Sequence, residues 1–392
     1  MNHHASTHAK QRMVATGGRL RPLSGSVFFR GLVTMSNLVQ VNNAHTDKEI
    51  VPLRVKANCS FTSLHIKEYA LIGHIKLTGQ SMHAIQLKHG QTFSGDDDGP
   101  CLLFVAGGCY NGFCDIEDTE IVDLCSDGVN TCSAPPFLPD DTMAIDGVSL
   151  RTPKGNPLFC SSEDSAQTCL EYVPESGSWM PGPDMMGNRV GAAVAELPND
   201  RFWILSGNQY GDQYSTEYYE DNTFISGPRI PDEGYDFYPC AVQISDDLTF
   251  FADEASYIYS AERGTFEATN EQMLFPSKNS ACGAATTADG SRIVVLAGGF
   301  DTPLSSLVQV LDVSTETWTF GPELPTSIYS ARTVQTPNSF LIVGGHSRVT
   351  NDYSDAILEF DPVNYGWIVR NETLALARRG FYMIDVDKDR FC

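Results

Sequence analysis

The stretch Ile293-Val-Val-Leu-Ala-Gly-Gly299 places a short apolar run directly before two glycines. The pattern returns as Phe340-Leu-Ile-Val-Gly-Gly345 and occurs earlier as Leu102-Leu-Phe-Val-Ala-Gly-Gly108. Runs of this length suit strands that are buried on both faces, and a residue without a Cβ allows a neighbouring backbone to approach closely. Three weaker copies bring the number of units to six, with steps of 45 to 54 residues between the marker positions Val105, Phe159, Ile204, Phe250, Val295 and Ile342.

Two further features recur within the units. A large aromatic residue follows the next strand in most of them, and Trp318 and Trp367 each stand six residues after an aspartate. Three and four residues after the aromatic comes a Gly-Pro pair, as in Gly321-Pro322, and such a pair sets a turn between strands. Each unit then runs into another strand of small residues. The pattern predicts four short strands per unit and no helix, repeated radially so that only short sheet edges remain.

The diglycine after an apolar strand and the spaced aromatic resemble the kelch-repeat β-propeller, over about three quarters of the chain. The resemblance implies an all-β, six-bladed propeller over residues 96–392 and structural roles for the repeat residues. Near the end of the chain, the segment 378–384 has the pattern of one more inner strand without a unit after it. We therefore predict that Phe381–Ile384 completes blade one, since many kelch propellers are closed by a C-terminal strand.

Residues 1–95 differ in composition from the rest. They contain eleven Lys or Arg and three acidic residues, whereas residues 96–392 contain 15 basic and 46 acidic ones, which gives net charges of +8 and −31. Eight of the nine histidines also precede residue 96. Such an asymmetry marks a domain boundary or a tail. Because no stretch keeps one period, we predict that residues 1–95 form a disordered or loosely ordered basic extension.

Ten of the eleven cysteines follow residue 100. Sequence proximity predicts the bridges Cys109–Cys114, Cys125–Cys132 and Cys160–Cys169. If the last strand pairs with Leu102–Ala106, Cys392 comes to lie beside Cys101, and a fourth bridge closes the ring. Cys240 and Cys282 remain, and whether they pair is left open because their separation in space cannot be judged from the sequence.

This use of cysteine indicates an oxidising compartment, although no secretory signal is visible in the first 95 residues. Structural zinc is the rival interpretation, and the absence of any C-x2-C pair argues against it. Free cysteines in an intracellular propeller are the other rival. Asn371-Glu-Thr373 fits the N-glycosylation pattern and makes Asn371 a candidate site in a secreted protein.

Several functions are excluded by composition or motif. The net charge of −23 argues against a nucleic-acid partner, and no apolar run is long enough to span a membrane. His346 is the single histidine after residue 95, so neither a multi-histidine metal site nor a galactose-oxidase-type copper site can be assembled there. We expect no catalytic residue, no cofactor and no metal, and we expect the acidic pairs to be solvated turn residues.

A binding surface is the better candidate. The connections before the inner strands of a propeller point to one mouth of its central channel, and here they are rich in arginine and tyrosine, which dominate interface energetics. Such arginines would form a positive focus for a protein, an acidic peptide or an acidic glycan on an acidic domain. We predict an extracellular, non-catalytic binding module; an intracellular adaptor for ubiquitin ligation or the cytoskeleton is the alternative, and an enzyme is third. The predicted mouth residues are Arg189, Tyr235, Tyr238, Tyr329, Arg332, Arg378 and Arg379.

A second group of tyrosines surrounds the loop of unit three and is a weaker candidate surface. For both groups the competing interpretation is ordinary packing and ion pairing between blades. The tyrosines are Tyr210, Tyr214, Tyr218 and Tyr219.

Overall fold

The computed structural model describes residues 100–392, except 115, 126–131, 133, 140–144, 162–166, 208–212, 232–237, 277 and 301–304. Between residues 28 and 94 it describes the backbone of seven short strands. The chain divides into two units, Met1–Asp97 and Asp98–Cys392. The predicted loose order of residues 1–95 and the odd cysteine Cys59 concern a region that lies largely outside the described residues.

The strands of the first unit form two small sheets. Their bounds are β1 (Phe28–Arg30), β2 (Gln40–Val41), β3 (Val55–Ala57), β4 (Ser63–His65), β5 (Gly73–Leu77), β6 (Gln80–Ala84) and β7 (Thr92–Ser94). One sheet has the order β1-β4-β7 and the other the order β2-β3-β5-β6.

The second unit contains six antiparallel sheets, one for each predicted unit, and these are the blades of a β-propeller. The strands of blades two to six are given from the channel outward. Blade two consists of β10 (Val148–Arg151), β11 (Pro157–Cys160), β12 (Cys169–Val173) and β13 (Ser178–Pro181), and blade three of β14 (Ala193–Leu197), β15 (Arg201–Leu205), β16 (Thr216–Glu220) and β17 (Thr223–Ser226).

Blade four consists of β18 (Cys240–Gln243), β19 (Leu248–Ala252), β20 (Ser256–Ser260) and β21 (Thr265–Ala268), blade five of β22 (Ala281–Thr286), β23 (Arg292–Ala297), β24 (Val308–Asp312) and β25 (Thr317–Phe320), and blade six of β26 (Arg332–Gln335), β27 (Phe340–Val343), β28 (Ala356–Asp361) and β29 (Gly366–Thr373).

Blade one joins the two ends of the propeller. It consists of β30 (Tyr382–Val386), β8 (Leu102–Ala106) and β9 (Thr119–Asp123), with Tyr382 opposite Ala106. The predicted closure by the C-terminal strand is therefore confirmed. Two details differ from the prediction: blade one has three strands among the described residues rather than four, and the chain ends in one helical turn, α1 (Lys388–Phe391).

The diglycines are required because each blade is crossed by the segment that enters a later blade. A Cβ on Gly298 would lie 2.2 Å from the carbonyl oxygen of Ile328, and one on Gly344 would lie 2.7 Å from that of Arg378. Both glycines also have a positive φ, of 70° and 65°. Glycine meets both demands, which explains why the pair ends the second strand of blades one, five and six.

The spaced aromatics seal the junctions between blades. Trp318 of β25 is 5% exposed and packs with Phe250 of blade four, at a ring-centroid distance of 6.0 Å. Trp367 of β29 donates a hydrogen bond from Nε1 to the carbonyl oxygen of Pro322 in blade five, at 2.9 Å. The burial of these large rings between neighbouring sheets stabilises the ring of blades.

Six backbone segments meet at one mouth of the channel and form a closed circle of hydrogen bonds. The amide of each member donates to the carbonyl oxygen of the member before it, at 2.6 to 3.3 Å. All six residues have a left-handed backbone conformation, with φ between 51° and 70°. We call this circle the mouth ring and the face that carries it the upper face; its members are Asp146, Gly191, Tyr238, Asn279, Ser330 and Gly380.

The channel below the mouth ring has a volume of about 600 Å³. The inner strands β10, β14, β18, β22, β26 and β30 line it. Side chains bond to the exposed edges of these strands: Arg332 donates to the carbonyl oxygen of Phe381 at 2.6 Å, and the amide of Met383 donates to Ser149 Oγ at 3.0 Å. The edges that the innermost strands expose to the channel are thus partly paired.

All ten cysteines of the propeller are in disulfides. Cys109–Cys114 and Cys160–Cys169 pair as predicted, and Cys240 pairs with Cys282 across blades four and five.

The other two predicted pairings are wrong. Cys101 pairs with Cys125, and Cys132 pairs with Cys392. The amide of Leu124 donates to the carbonyl oxygen of Cys101, so Cys125 follows the end of β9 back to the start of β8. Helix α1 carries Cys392 past that point to Cys132. The Cys132–Cys392 bridge still joins the C-terminal segment to blade one, which is the role predicted for Cys392.

Candidate functional site

Two of the predicted mouth arginines are buried inside the propeller. Arg189 is 3% exposed, and its guanidinium lies 2.8 Å from the Glu217 carboxylate. Arg378 is 1% exposed and lies 3.0 Å from Glu120. These placements match the inter-blade ion-pairing interpretation, so neither guanidinium is open to a ligand.

Both pairs belong to one repeated device. Each arginine precedes a mouth-ring residue by two positions and also donates to carbonyl oxygens at the ends of the second strand and the start of the third. Each glutamate accepts a backbone amide from the crossover segment, Met186 N–H for Glu217 and Ala375 N–H for Glu120. In blade five Gln309 does the same for Leu274 N–H, at 2.9 Å. The device fastens the crossover segment to the next blade.

Burial opposes the ionisation of this pair in blade one. Desolvation raises the pKa of Glu120, while the Ala375 amide and Arg378 act in the opposite direction. Desolvation also lowers the pKa of Arg378, against the attraction of Glu120 and Asp118. The charged forms therefore depend on each other, as expected of a buried ion pair.

Two other predicted residues do not reach the outer surface of this face as free side chains, and a third is not described. Arg332 lies in the channel below the mouth ring, with one nitrogen 3.8 Å from Asp146 Oδ1. Tyr238 is a member of the mouth ring and packs against Gly191. Tyr235 lies outside the described residues.

Tyr329 and Arg379 remain, and the structure places them together. The Arg379 guanidinium carbon lies 5.8 Å from the centroid of the Tyr329 ring. Tyr329 pairs its backbone with His346 through two hydrogen bonds of 2.9 and 3.0 Å. The backbone of Arg379 pairs in the same way with Cys109. The loops after the diglycines of blades one and six thus hold both residues in place.

A curved row of five aromatic side chains runs through this point, and we call it the aromatic arc. Successive ring centroids along it are 6.0, 4.5, 5.2 and 5.3 Å apart. The rings at its two ends are each 36% exposed, so the arc opens to solvent at both ends. Its members, in order, are Tyr110, Tyr353, His346, Tyr329 and Phe300.

A second cation lies on the arc. The Arg348 guanidinium carbon is 3.8 Å from the Phe300 centroid, and its Nη1 donates to the Phe300 carbonyl oxygen at 2.8 Å. Within the part of the chain that the structure describes, neither Arg348 nor Arg379 has a carboxylate partner. Among the described residues, both positive charges are therefore held by aromatic faces and not by acids.

His346 sits at the centre of the arc and is 7% exposed. Burial lowers its pKa, and the nearby charge of Arg379 lowers it further. The imidazole is thus neutral at physiological pH. Its Nδ1 is buried and has no hydrogen-bond partner among the described residues.

Sequence reasoning missed Tyr110, Phe300, Arg348 and Tyr353. A signal for them existed, because Phe300 directly follows one diglycine and Tyr110 stands two residues after another. The loops after the diglycines lie on the same face as the connections before the inner strands. The prediction considered only the latter.

The tyrosines of unit three are mainly packing residues. Tyr219 is 1% exposed, and burial raises the pKa of both Tyr218 and Tyr219 well above the usual range. Tyr214 faces Arg229, whose guanidinium carbon is 5.3 Å from the ring centroid. Tyr210 lies outside the described residues.

The described residues contain no group of three or more His, Cys, Asp or Glu side chains that could hold a metal ion. No helix in the described part has the length and apolar character needed to cross a membrane. Asn371 is exposed on the outermost strand β29, at the rim of blade six.

Comparison with known proteins supports the interpretation of the fold. A family model described as the Kelch motif matches residues 280–325, which begin just before β22 and end beyond β25. No curated protein matches the chain. The motif match over one blade and the six blades around one channel both support the kelch-repeat β-propeller assignment.

Proposed function

We propose that the propeller is a non-catalytic binding module and that its upper face, at the aromatic arc, binds an acidic segment of a protein partner. One observation carries the proposal. Arg348 and Arg379 are held over aromatic rings and have no carboxylate partner among the described residues. Other arginines, such as Arg189, Arg370 and Arg378, have carboxylate partners.

The charge of the whole domain makes this local arrangement selective. Residues 96–392 carry 46 acidic and 15 basic side chains, so most of the surface repels an acidic ligand. Two guanidinium groups without a carboxylate partner among the described residues lie on one side of the mouth ring and create an attractive point in that repulsive field. Carboxylates of a ligand can bond to them in bidentate fashion, which is the strongest common hydrogen-bonding geometry for arginine.

The rings between the two arginines supply the apolar part of the site. The half-buried Tyr329 and the exposed edge of Phe300 offer flat surfaces for a ligand backbone or an apolar side chain. Charge and apolar surface together suit a peptide that presents a carboxylate beside an apolar side chain.

The binding experiment uses a phage-displayed library of 12-residue peptides, panned on the oxidised wild-type protein. We expect the enriched peptides to contain Asp or Glu. We expect the double variant Arg348→Ala/Arg379→Ala to bind the labelled synthetic peptides at least tenfold more weakly. Arg263→Ala is the matched control, because Arg263 is 54% exposed and pairs with Glu267 on blade four. Enrichment of neutral peptides, or equal binding by the double variant and the control, would refute the proposal. Binding of acidic oligosaccharides in place of peptides would do the same.

We further propose that the protein acts outside the cell. Five disulfides in one domain are typical of an oxidising compartment. The intact mass of the protein from its native source, alkylated before and after reduction, tests this location. We expect the ten propeller cysteines to react only after reduction, and thiols that react in the native protein would favour the intracellular adaptor.

In that compartment Asn371 is the proposed glycosylation site, because its side chain is exposed on an edge strand. Expression through a eukaryotic secretory pathway should give a product whose mass falls after treatment with peptide N-glycosidase. Asn371→Gln should remove that fall, with Thr373→Ala as an independent change to the same motif. A wild-type product without a glycan on Asn371 would contradict this assignment.

A further inference from the structure

The loop Cys109–Cys114 protrudes from the upper face beside the aromatic arc, and we call it the aromatic finger. Its sequence is Cys-Tyr-Asn-Gly-Phe-Cys. Phe113 is 69% exposed and Tyr110 is 36% exposed. A single exposed apolar side chain is common on protein surfaces, so the informative observation is the way in which the loop carrying Phe113 is held.

The finger is a closed miniature hairpin. Tyr110 and Phe113 exchange two backbone hydrogen bonds of 2.8 and 2.9 Å. The turn residues Asn111 and Gly112 have φ of 49° and 84°, which is the type I′ geometry that Asn-Gly favours. Directly outside this turn the disulfide Cys109–Cys114 joins the two arms, with a Cα–Cα distance of 4.0 Å.

Contacts with neighbouring loops fix the finger on the propeller. The Cys109 backbone pairs with Arg379 at 2.9 and 3.1 Å. The Gly112 N–H donates to the Tyr353 hydroxyl at 3.1 Å, and the Tyr110 and Tyr353 rings meet edge to face. A Cβ on Gly112 would meet nothing within 4 Å, so the tip itself is open to solvent. A disulfide, a tight turn and a hydrogen bond to the Tyr353 hydroxyl therefore fix the backbone of the loop that carries the exposed Phe113.

We propose that the aromatic finger is a preorganised anchor that inserts Phe113 into an apolar pocket of a protein partner, with carboxylates at the rim of that pocket. A loop whose backbone is already ordered loses little conformational entropy on binding, which favours its use as an interface anchor. The rim chemistry follows from charge complementarity, because the Arg379 backbone is hydrogen-bonded to the base of the finger. The proposal rests on the upper face being the binding surface, as proposed above.

The test uses a naive phage-displayed library of single-domain antibody fragments, panned on the full-length oxidised protein. Fragments that bind the upper face are recognised by a loss of affinity for Arg379→Ala. We expect most of these fragments to bind Phe113→Ala more than tenfold more weakly. Phe137→Ala is the matched control, because Phe137 is 66% exposed on the same blade, and it should change affinity less than twofold. Upper-face fragments that bind Phe113→Ala as tightly as wild type would overturn the proposal.

A second variant separates preorganisation from mere exposure. Gly112→Ala keeps the Phe113 ring but strains a turn residue with φ of 84°, without any clash. We expect a several-fold loss of binding with an unchanged melting temperature, and unchanged binding would contradict the role of the rigid turn. The two proposals fail independently: peptides insensitive to Arg348→Ala/Arg379→Ala refute the acidic-peptide site, whereas fragments insensitive to Phe113→Ala refute the finger alone.

Discussion

Removal of Arg378 tests whether the predicted mouth arginines are structural. The side chain is 1% exposed, lies 3.0 Å from Glu120, and donates to the Gly107 and Asp118 carbonyl oxygens at 2.8 and 3.1 Å. Arg378→Ser leaves Glu120, which is 12% exposed, without its counter-charge. Breaking a buried pair in this way costs about 3–5 kcal/mol in the free energy of unfolding.

Blade five provides the compensating change, because it has Gln309 where blade one has Glu120, and Ser277 two residues before its mouth-ring residue. Arg378→Ser/Glu120→Gln removes the unpaired charge and keeps an acceptor for the Ala375 amide. We expect the double variant to recover about 2 kcal/mol relative to Arg378→Ser.

The assay is guanidinium unfolding of the oxidised protein, followed by tryptophan fluorescence. Arg263→Ala, which breaks an exposed pair, should stay within about 0.5 kcal/mol of wild type. The reasoning is refuted if Arg378→Ser costs less than about 1 kcal/mol, or if the two changes simply add.

The same variant gives a pH dependence with a definite sign. In the wild type desolvation already raises the pKa of Glu120, and Arg378 opposes that rise. Without Arg378 the pKa rises further, so Glu120 is more easily protonated in the folded than in the unfolded protein. The cost of Arg378→Ser must therefore shrink as the pH falls from 7 towards 5, because a neutral Glu120 needs no counter-charge. A cost that grows in this window would contradict the assignment.

Three further predictions concern packing, closure and the buried histidine. Gly283→Ala would place a Cβ 2.1 Å from the Phe340 ring, so we expect the free energy of unfolding, measured with guanidinium, to fall by about 2–3 kcal/mol. A loss below about 1 kcal/mol would show that Phe340 can move to make room for the methyl group. Cys132→Ser/Cys392→Ser opens a bridge between residues 260 apart, and the chain-entropy relation gives a loss of about 5.5 kcal/mol in the free energy of unfolding, measured in the same way. Burial lowers the pKa of His346, so wild type should lose stability as the pH falls below the unfolded value near 6.5, and His346→Gln should remove part of that loss.

The repeat made the architecture predictable. In blades five and six the second strand ends where the segment that enters the next blade crosses it, so Gly298 and Gly344 are fixed by a steric demand that is visible in the sequence. The closing strand β30 was predictable for a similar reason, because a unit without an inner strand needs one from elsewhere. A strand pattern that recurs in six units predicts the fold better than a single copy of that pattern does.

The details that depend on three-dimensional paths were not predictable. Cys125 and Cys132 are neighbours in sequence, yet one follows β9 back to Cys101 and the other meets the end of α1. An arginine just before an inner strand looks the same in the sequence whether its side chain faces solvent or a buried glutamate. The partners that decide between the two, Glu120 and Glu217, lie on third strands far along the chain.

The aromatic arc was only half predictable. Tyr329 and Arg379 stand before inner strands and were identified from that position. Tyr110 and Tyr353 come from loops after the diglycines, and only the fold brings those loops beside the first set. The mouth ring explains why Arg332 does not join them, since the backbone circle separates the channel from the upper face.

Hydrogen–deuterium exchange of the oxidised protein, with and without a peptide selected on it, tests the central claim most directly. If the aromatic arc and the aromatic finger form the binding surface, the peptide should slow exchange in the segments 109–114, 327–330 and 346–353. The hairpins at the opposite mouth, 198–200, 244–247 and 287–291, should be unaffected. Protection confined to those hairpins, with no change on the upper face, would contradict the account.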